Sequence, residues 1–204
     1  MLQANNLEKR YGNYTALTQA NIEVAPGEAV LLLGPNGSGK STLLSILATI
    51  IKPDAGEVTI DGLSGKRARK KIAYAPQDIV LFEELTVMEN LYAWSSLKGT
   101  DNVNRAKELV EALAMQPFAK KRTDRLSGGQ RRRVNLAVAM MGTYEYLLLD
   151  EPLAGIDEEG AQCIEALLKQ EREKGRGMII AEHNPKVLLS FMDRTIKLEM
   201  GHIV

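Results

Sequence analysis

Two hydrophobic periods divide the chain. Residues 2–7 and 20–24 read as short β-like runs. Residues 29–33, AVLLL, form a continuous apolar run suited to a strand buried on both faces. GPNGSGKS follows at once, at residues 34–41. After it comes a helical pattern that puts Leu43, Leu44, Leu47, Ile50 and Ile51 on one face. Pro53 is expected to stop this helix, because the residue before a proline is pushed out of the α region. Residues 56–62, GEVTIDG, predict a strand with a turn at Asp61-Gly62, and residues 71–75 a further short strand closed by Pro76.

From residue 85 to 141 the period is helical. Ala106, Leu109, Val110, Leu113 and Ala114 recur at i, i+3, i+4, i+7 and i+8, and Val134, Ala137, Val138 and Met141 repeat the spacing. Strands return at residues 146–150, YLLLD, and 178–181, MIIA. The helix between them has Asp157, Glu158 and Glu159 at its start and Gly175 past its end, in agreement with the helix dipole and a left-handed stop. Residues 195–204 read as a hairpin around Met200-Gly201. Strand–helix alternation at both ends predicts an α/β fold with a parallel sheet, and the helical middle is an insertion.

Composition narrows the class. At about 150 residues per domain, 204 residues predict one large domain or one domain with an insertion. A chain that is 45% hydrophobic and 25% charged is neither disordered nor fibrous. Twenty-six basic residues balance 26 acidic ones, so no nucleic-acid partner is expected. Cys163 stands alone, which suits a reducing, cytoplasmic setting. No apolar run approaches the roughly 18 residues that span a bilayer, and the opening MLQANNLEKRY lacks the apolar core of a signal peptide. Action at a membrane is therefore expected to run through a partner.

The candidate chemistry begins at residues 34–41. Their spacing, GxxxxGK[ST] between an apolar strand and an amphipathic helix, identifies a phosphate-binding loop. Gly34, Gly37 and Gly39 let the backbone curl until successive N–H groups point at an anion, and the helix start adds unpaired donors. Lys40 is a point charge for the β- and γ-phosphates, Ser41 offers a hydroxyl to Mg²⁺, and Thr42 can reach the α-phosphate. Asp150 ends an apolar strand, where an acid binds Mg²⁺ through water. The adjacent Glu151 can polarise an attacking water.

LSGGQ, at residues 126–130, decides between phosphate-loop families, because it resembles the signature of ATP-binding-cassette (ABC) ATPases. The resemblance covers essentially the whole chain in order. Tyr11 resembles the A-loop aromatic that stacks on adenine. Gly34, Pro35, Asn36, Gly37, Ser38, Gly39, Lys40, Ser41 and Thr42 resemble the Walker A loop, and Gln77 the Q-loop glutamine. Ser127, Gly128, Gly129 and Gln130 fall in the signature, residues 146–151 match Walker B with its glutamate, Asp157 the D-loop aspartate and His183 the H-loop histidine. This implies a P-loop NTPase with a RecA-like α/β core, an N-terminal antiparallel β subdomain and an inserted α-helical subdomain. Residues 1–204 would form a single ABC ATPase domain, with 1–78 and 142–204 the catalytic core and 79–141 the helical subdomain. The implied cofactors are ATP and Mg²⁺. Glu151, His183 and Gln77 would act in hydrolysis, and Ser41, Gln77 and Asp150 would face the metal.

The signature has its own physical logic. Ser127 stands at the N-cap of a helix expected from about residue 129 to 141, and Gly128 and Gly129 let a phosphate approach the backbone. In the family, the signature of one copy closes on the phosphate loop of another. The resemblance therefore implies a second ABC ATPase subunit, in a homodimer or heterodimer that ATP glues together. It also implies separate transmembrane permease subunits, with the chain peripheral on the cytoplasmic face of the membrane and powering transport. Residues 78–91 lie where such ATPases receive a coupling helix. Phe82, Leu85, Val87, Met88 and Leu91 read either as an apolar groove for it or as core. EELTVMENL leans towards exporters. The alternatives are a non-transport ABC ATPase and an ATP-binding regulatory module. Translation-type members carry two cassettes and chromosome-type members a long heptad insertion, and neither pattern occurs here. Lys40, Asp150, Glu151 and His183 argue against a module without turnover.

Some positions depart from the family. Glu182 precedes His183 where a small polar residue is usual, Asn184 follows where an acid is common, and residues 153–157 read LAGID rather than SALD. Basic clusters at 66–71, 120–122 and 131–133 read as solvated faces. Asp157 doubles as a helix N-cap, Pro185 suits a first helical turn, Cys163 reads as a small core residue and His202 as surface.

Overall fold

The computed structural model describes residues 1–183 and 185–204; Asn184 lies outside the described residues. Strands β1 (Leu2–Tyr11), β2 (Tyr14–Val24) and β3 (Ala29–Leu33) come first, then α1 (Lys40–Leu47), β4 (Ala55–Ile60), α2 (Gly65–Arg69) and β5 (Ile72–Ala75). Helices α3 (Val87–Trp94), α4 (Gly99–Ala112) and α5 (Gly128–Ala139) make the middle. Then follow β6 (Tyr146–Asp150), α6 (Glu158–Glu173), β7 (Gly177–Ala181), β8 (Arg194–Glu199) and β9 (His202–Ile203).

The strands form two sheets. One is antiparallel, in the order β2-β1-β4. The other runs β5-β6-β7-β3-β8-β9 and is parallel up to the closing β8–β9 hairpin. That order sets the site. Because β7 lies between β6 and β3, the carboxyl ends of β5, β6, β7 and β3 stand side by side. The loops that follow them share one edge of the sheet, where ligands of open α/β folds bind.

The central strands are apolar throughout because both faces are covered. Ala29, Leu147, Leu149, Met178 and Ile180 pack with Leu91, Leu109, Leu136 and Leu167 from the helices. Val30, Leu32, Leu148, Ile179 and Ala181 pack with Leu43, Leu44 and Leu47 of α1 and with Leu7 and Ile22 of the antiparallel sheet. Full burial of such side chains contributes about 1.5–3 kcal/mol each.

Several expected boundaries move. The first two strands are longer than their apolar runs, since they pair through to Tyr11 and Tyr14 around Gly12. α1 stops at Leu47, well before Pro53. Thr49 takes a φ of +57°, and the N–H groups of Ile50 and Ile51 both turn back to the Ser45 carbonyl. Local backbone reversal, not the proline, ends the helix, and Ile50 is left 55% exposed rather than in the core. Part of the first basic cluster forms the short α2, with Ala68 buried beneath exposed Lys66, Arg67 and Lys70. Pro185 opens a turn of 3-10 helix, Pro185–Val187. Cys163 is half-buried and His202 exposed.

The middle helices are fastened by polar groups. Thr86 and Glu89 form a reciprocal capping box at the start of α3. Asn90 is fully buried and holds the preceding loop: its Oδ1 accepts from the Phe82 N–H at 2.8 Å, and its Nδ2 donates to the Phe82 and Thr86 carbonyls at 3.0 and 3.1 Å. Val87 and Leu91 are core, whereas Phe82 is 46% exposed. α4 and α6 meet at Glu171, whose buried carboxylate accepts from the Tyr144 hydroxyl at 2.8 Å and from Lys174 at 3.0 Å, beside Arg105.

Candidate nucleotide site

The loop between β3 and α1 is built to close tolerances. A Cβ on Gly34 would overlap the Leu198 carbonyl of β8, and one on Gly39 the Ala16 carbonyl of β2. Both strands thus press the loop into place, and only glycine fits. α1 begins at Lys40 behind Gly39, which supplies no side-chain cap, so its first N–H groups stay open to an anion. The buried Lys40 donates from Nζ to the carbonyls of Gly34 and Pro35, at 2.8 and 3.1 Å. The buried Ser38 hydroxyl has no protein partner. Tyr14 reaches over from β2 and donates to the Gly37 carbonyl. Tyr14, Asn36, Lys40, Ser41, Thr42 and Gln77 line a pocket of 340 Å³ at this loop.

The acids stand on the neighbouring strand ends. Asp150 is 2% exposed, and neither carboxylate oxygen has a hydrogen-bond partner. Burial drives its carboxyl above the ordinary aspartate range; Ser41 and Lys40 pull it back only partly. Two orphaned, buried oxygens beside Ser41 suit a hard cation that keeps water and phosphate as its other ligands, as Mg²⁺ does. Among the described residues no group of three or more His, Cys, Asp or Glu gathers as a metal cage.

Glu151 follows with a φ of +51°, a left-handed conformation that costs a non-glycine residue roughly 1–2 kcal/mol. Its N–H donates to the Ala181 carbonyl at 2.9 Å. This twist brings its carboxylate between two expected site residues. Gln77 Nε2 donates to Oε2 at 3.0 Å, and His183 Nε2 stands 2.8 Å from Oε1. Gln77, Glu151 and His183 follow β5, β6 and β7, so the strand order assembles them.

The signature lies on α5. Ser127 caps it and Gln130 completes the capping box: Gln130 N–H donates to Ser127 Oγ at 3.2 Å, and Ser127 N–H to Gln130 Oε1 at 3.1 Å. Gly128 and Gly129 open the helix, and a Cβ on Gly129 would crowd the Gly155 carbonyl of the loop before α6. Asp157 caps α6 through the Gly160 N–H at 2.9 Å. Neither the signature residues nor Tyr11 lines the phosphate-loop pocket; Tyr11 is exposed at the end of β1, with Lys9 Nζ 5.6 Å from its ring centre.

A family model described as ABC transporter matches residues 17–154. The chain belongs to the ABC transporter family. Over its full length it is 35% identical to the linearmycin resistance ATP-binding protein LnrL of Bacillus subtilis, of which it spans 68%. It is 34% identical, again over its full length, to the lipopolysaccharide export system ATP-binding protein LptB of Escherichia coli, of which it spans 88%. A solved dimeric structure of a bacterial ABC transporter cassette matches all of this chain and 96% of its own, with a TM-score of 0.90 at 31% identity. The same cassette in a post-hydrolysis dimer bound to ADP and Pi matches with a TM-score of 0.89 at 30% identity, over the same shares of the two chains. The cassette described here is an ATPase of the P-loop α/β fold.

Some residues of this ABC cassette carry no motif signal. Arg132 donates to the Gln77 carbonyl. Asn135 accepts from the Val80 N–H at 3.0 Å and donates to the Pro76 carbonyl at 3.3 Å, so α5 grips the segment around Gln77. Trp94 stacks on Phe82 with ring centres 5.4 Å apart. Beside this pair, Ile50, Tyr74, Val80, Trp94, Val138 and Ala139 line a cavity of 540 Å³ that reaches Ser41, Gln77 and Asp150. Trp94 has no counterpart among the expected site residues, whereas Phe82, its stacking partner, belongs to the apolar groove expected for a coupling helix. Tyr14 belongs to none of the motifs and comes to the phosphate loop only through the β1–β2 pairing and its bond to the Gly37 carbonyl.

Proposed function

We propose that this chain is the ATP-hydrolysing subunit of a transporter, acting as an ATP-closed dimer on separate membrane-spanning subunits. The observation that carries it is Glu151, held between Gln77 and His183 beside the phosphate loop. Residues 1–204 form one ABC ATPase domain in this reading, with 1–78 and 142–204 catalytic and 79–141 helical.

In this mechanism the N–H groups of residues 34–42 and the start of α1 bind the phosphates. Lys40 leaves its two carbonyl partners for the β- and γ-phosphates, and Tyr11 stacks on the base. Asp150 and Ser41, with Gln77 nearby, would hold Mg²⁺, which supplies charge neutralisation between the phosphates. Glu151 polarises the water, and His183 contacts the γ-phosphate. Ser127, Gly128, Gly129, Gln130 and Asp157 serve the nucleotide of the second subunit. Hydrolysis cuts the γ-phosphate from ADP, and its departure takes away the anion that bridges the two copies, so the dimer opens.

The aromatic pair and its cavity are the docking face for a coupling helix of the permease. Among the described residues no helix is long and apolar enough to cross a membrane. Attachment through a permease on the cytoplasmic face accounts for action at a bilayer. LptB and the resistance protein LnrL, both named for export or resistance systems, favour an exporter. Vesicles carrying the co-purified membrane partner test the reading: ATP-dependent movement of solute is expected, and ATP turnover that no membrane partner alters would overturn it.

A further inference from the structure

We propose that Glu182 is a positioning residue for hydrolysis, tying the loop after β6 to the loop after β7 and so fixing His183 against Glu151. Glu182 is 5% exposed. Its Oε1 accepts from the Leu153 N–H at 3.0 Å, and its Oε2 from the His183 N–H at 2.9 Å. One carboxylate thus holds backbone from both catalytic loops.

Leu153 belongs to the turn that aims Glu151, since the Ala154 N–H closes back on the Glu151 carbonyl at 3.2 Å. That turn contains the left-handed Glu151, a conformation that persists only where its surroundings over-determine it. Glu182 supplies one such constraint and extends it to His183. A carboxylate is needed because both partners are donors: an ionised acid is acceptor-only, whereas an amide would turn its NH₂ against one of the two N–H groups. Burial holds its carboxyl above the ordinary glutamate range, and the two N–H bonds pull it part of the way back towards the charged, acceptor-only form.

The inference rests on the proposed roles of Glu151 and His183, so the experiment separates the two. ATP affinity and single-turnover cleavage are measured for the wild type, Glu182→Gln, Glu182→Asp, His183→Ala and the double variant Glu182→Gln/His183→Ala. Normal cleavage in His183→Ala would overturn the underlying reading. With that variant impaired, Glu182→Gln is expected to keep ATP affinity within about twofold and to lose cleavage by about 10–100-fold, the scale of a misplaced catalytic group. In the double variant the Gln substitution should cost less than about twofold more, since it acts through a side chain already gone. Glu182→Asp keeps two acceptor oxygens and should cleave faster than Glu182→Gln. Unchanged cleavage in Glu182→Gln, a fully multiplicative double variant, or Asp no better than Gln would each overturn the positioning role. Should Glu182→Gln fail to fold, an Asp variant that folds yet cleaves no better than His183→Ala would overturn it too, and one that retains cleavage supports it.

Discussion

Nε2 of His183 stands 2.8 Å from Oε1 of Glu151, although 32 positions of sequence numbering separate them. They meet because β6 and β7 are hydrogen-bonded neighbours and each residue lies just past its strand's carboxyl end. The left-handed turn at Glu151 then swings its side chain towards both His183 and Gln77.

Glu151→Gln keeps the shape and one carbonyl acceptor but removes the charge that polarises water. Binding of ATP should survive, because the phosphate loop is untouched. Single-turnover cleavage should slow by about 10²–10⁴-fold, the range for a lost general base. The variant should also accumulate as an ATP-bound dimer in scattering measurements. Near-normal cleavage, or slow cleavage without a trapped dimer, would break the link between chemistry and opening.

Lys40 has two carbonyl partners inside its own loop, so removing its amine leaves the loop's glycines and N–H groups in place. Lys40→Ala should fold with a melting temperature close to that of the wild type. Its ATP affinity or turnover should fall severely, as calorimetric titration and phosphate release will show. Retention of both would exclude Lys40 as the phosphate charge.

Asp150→Asn should exchange activity for stability. Burial raises the Asp150 carboxyl, so the fold binds its proton more tightly than the unfolded chain does. This contribution is fully present below the unfolded value, near 3.8, and is lost as pH rises through the folded one. At neutral pH without nucleotide, removing the buried charge should raise the melting temperature by about 2–4 °C, with the gain shrinking towards acid pH. Mg²⁺-dependent turnover should collapse. Thermal melts across pH test the sign: a lower melting temperature, or a gain independent of pH, would contradict it.

Glu171 behaves oppositely. Burial pushes its carboxyl up, but Arg105, the Tyr144 hydroxyl and Lys174 outweigh it and hold the group below its ordinary value. Its contribution is therefore present above about pH 4.5 and lost on acidification through the lower folded value. Glu171→Ala should cost about 1–3 kcal/mol, since the Tyr144 hydroxyl loses its buried acceptor while Arg105 keeps Glu108 at 2.8 Å, and the loss should lessen at low pH. Denaturant titration at two pH values measures it.

Phe82 and Trp94 touch neither phosphate nor acid in the proposed mechanism. Replacing both by serine should leave the ATPase of the isolated chain within about twofold and sharply reduce co-purification of a membrane partner, because exposed aromatics supply much of an interface's binding energy. Undiminished co-purification would move the docking surface elsewhere.

The phosphate loop was legible because its chemistry is local. GxxxxGK[ST] needs only a strand before it and a helix after it, and AVLLL and the leucines of α1 announce both. Ser127 and Asp157 were legible as caps for the same reason: each satisfies N–H groups within three residues of itself. The end of α1 was not. Pro53 is a strong signal, but Thr49 turned the chain first, and a left-handed threonine has no signature in sequence. Phe82 and Val87 differ in the same way: both are apolar in one short segment, and the Asn90 hydrogen bonds send the first outwards while α3 buries the second.

By itself the sequence determined which chemistries the chain carries: a phosphate cradle, two adjacent acids, a histidine after an apolar strand, and the signature that names the family. Periodicity and glycine placement are local properties, so they can be read one segment at a time. The tertiary structure decided which of these groups meet. The insertion of β7 between β6 and β3 places Gln77, Glu151 and His183 along one sheet edge, and Glu182 holds two loops far apart in the chain. Hydrogen bonds between distant segments form only when a particular strand order closes, and no spacing of residues along the chain records that order.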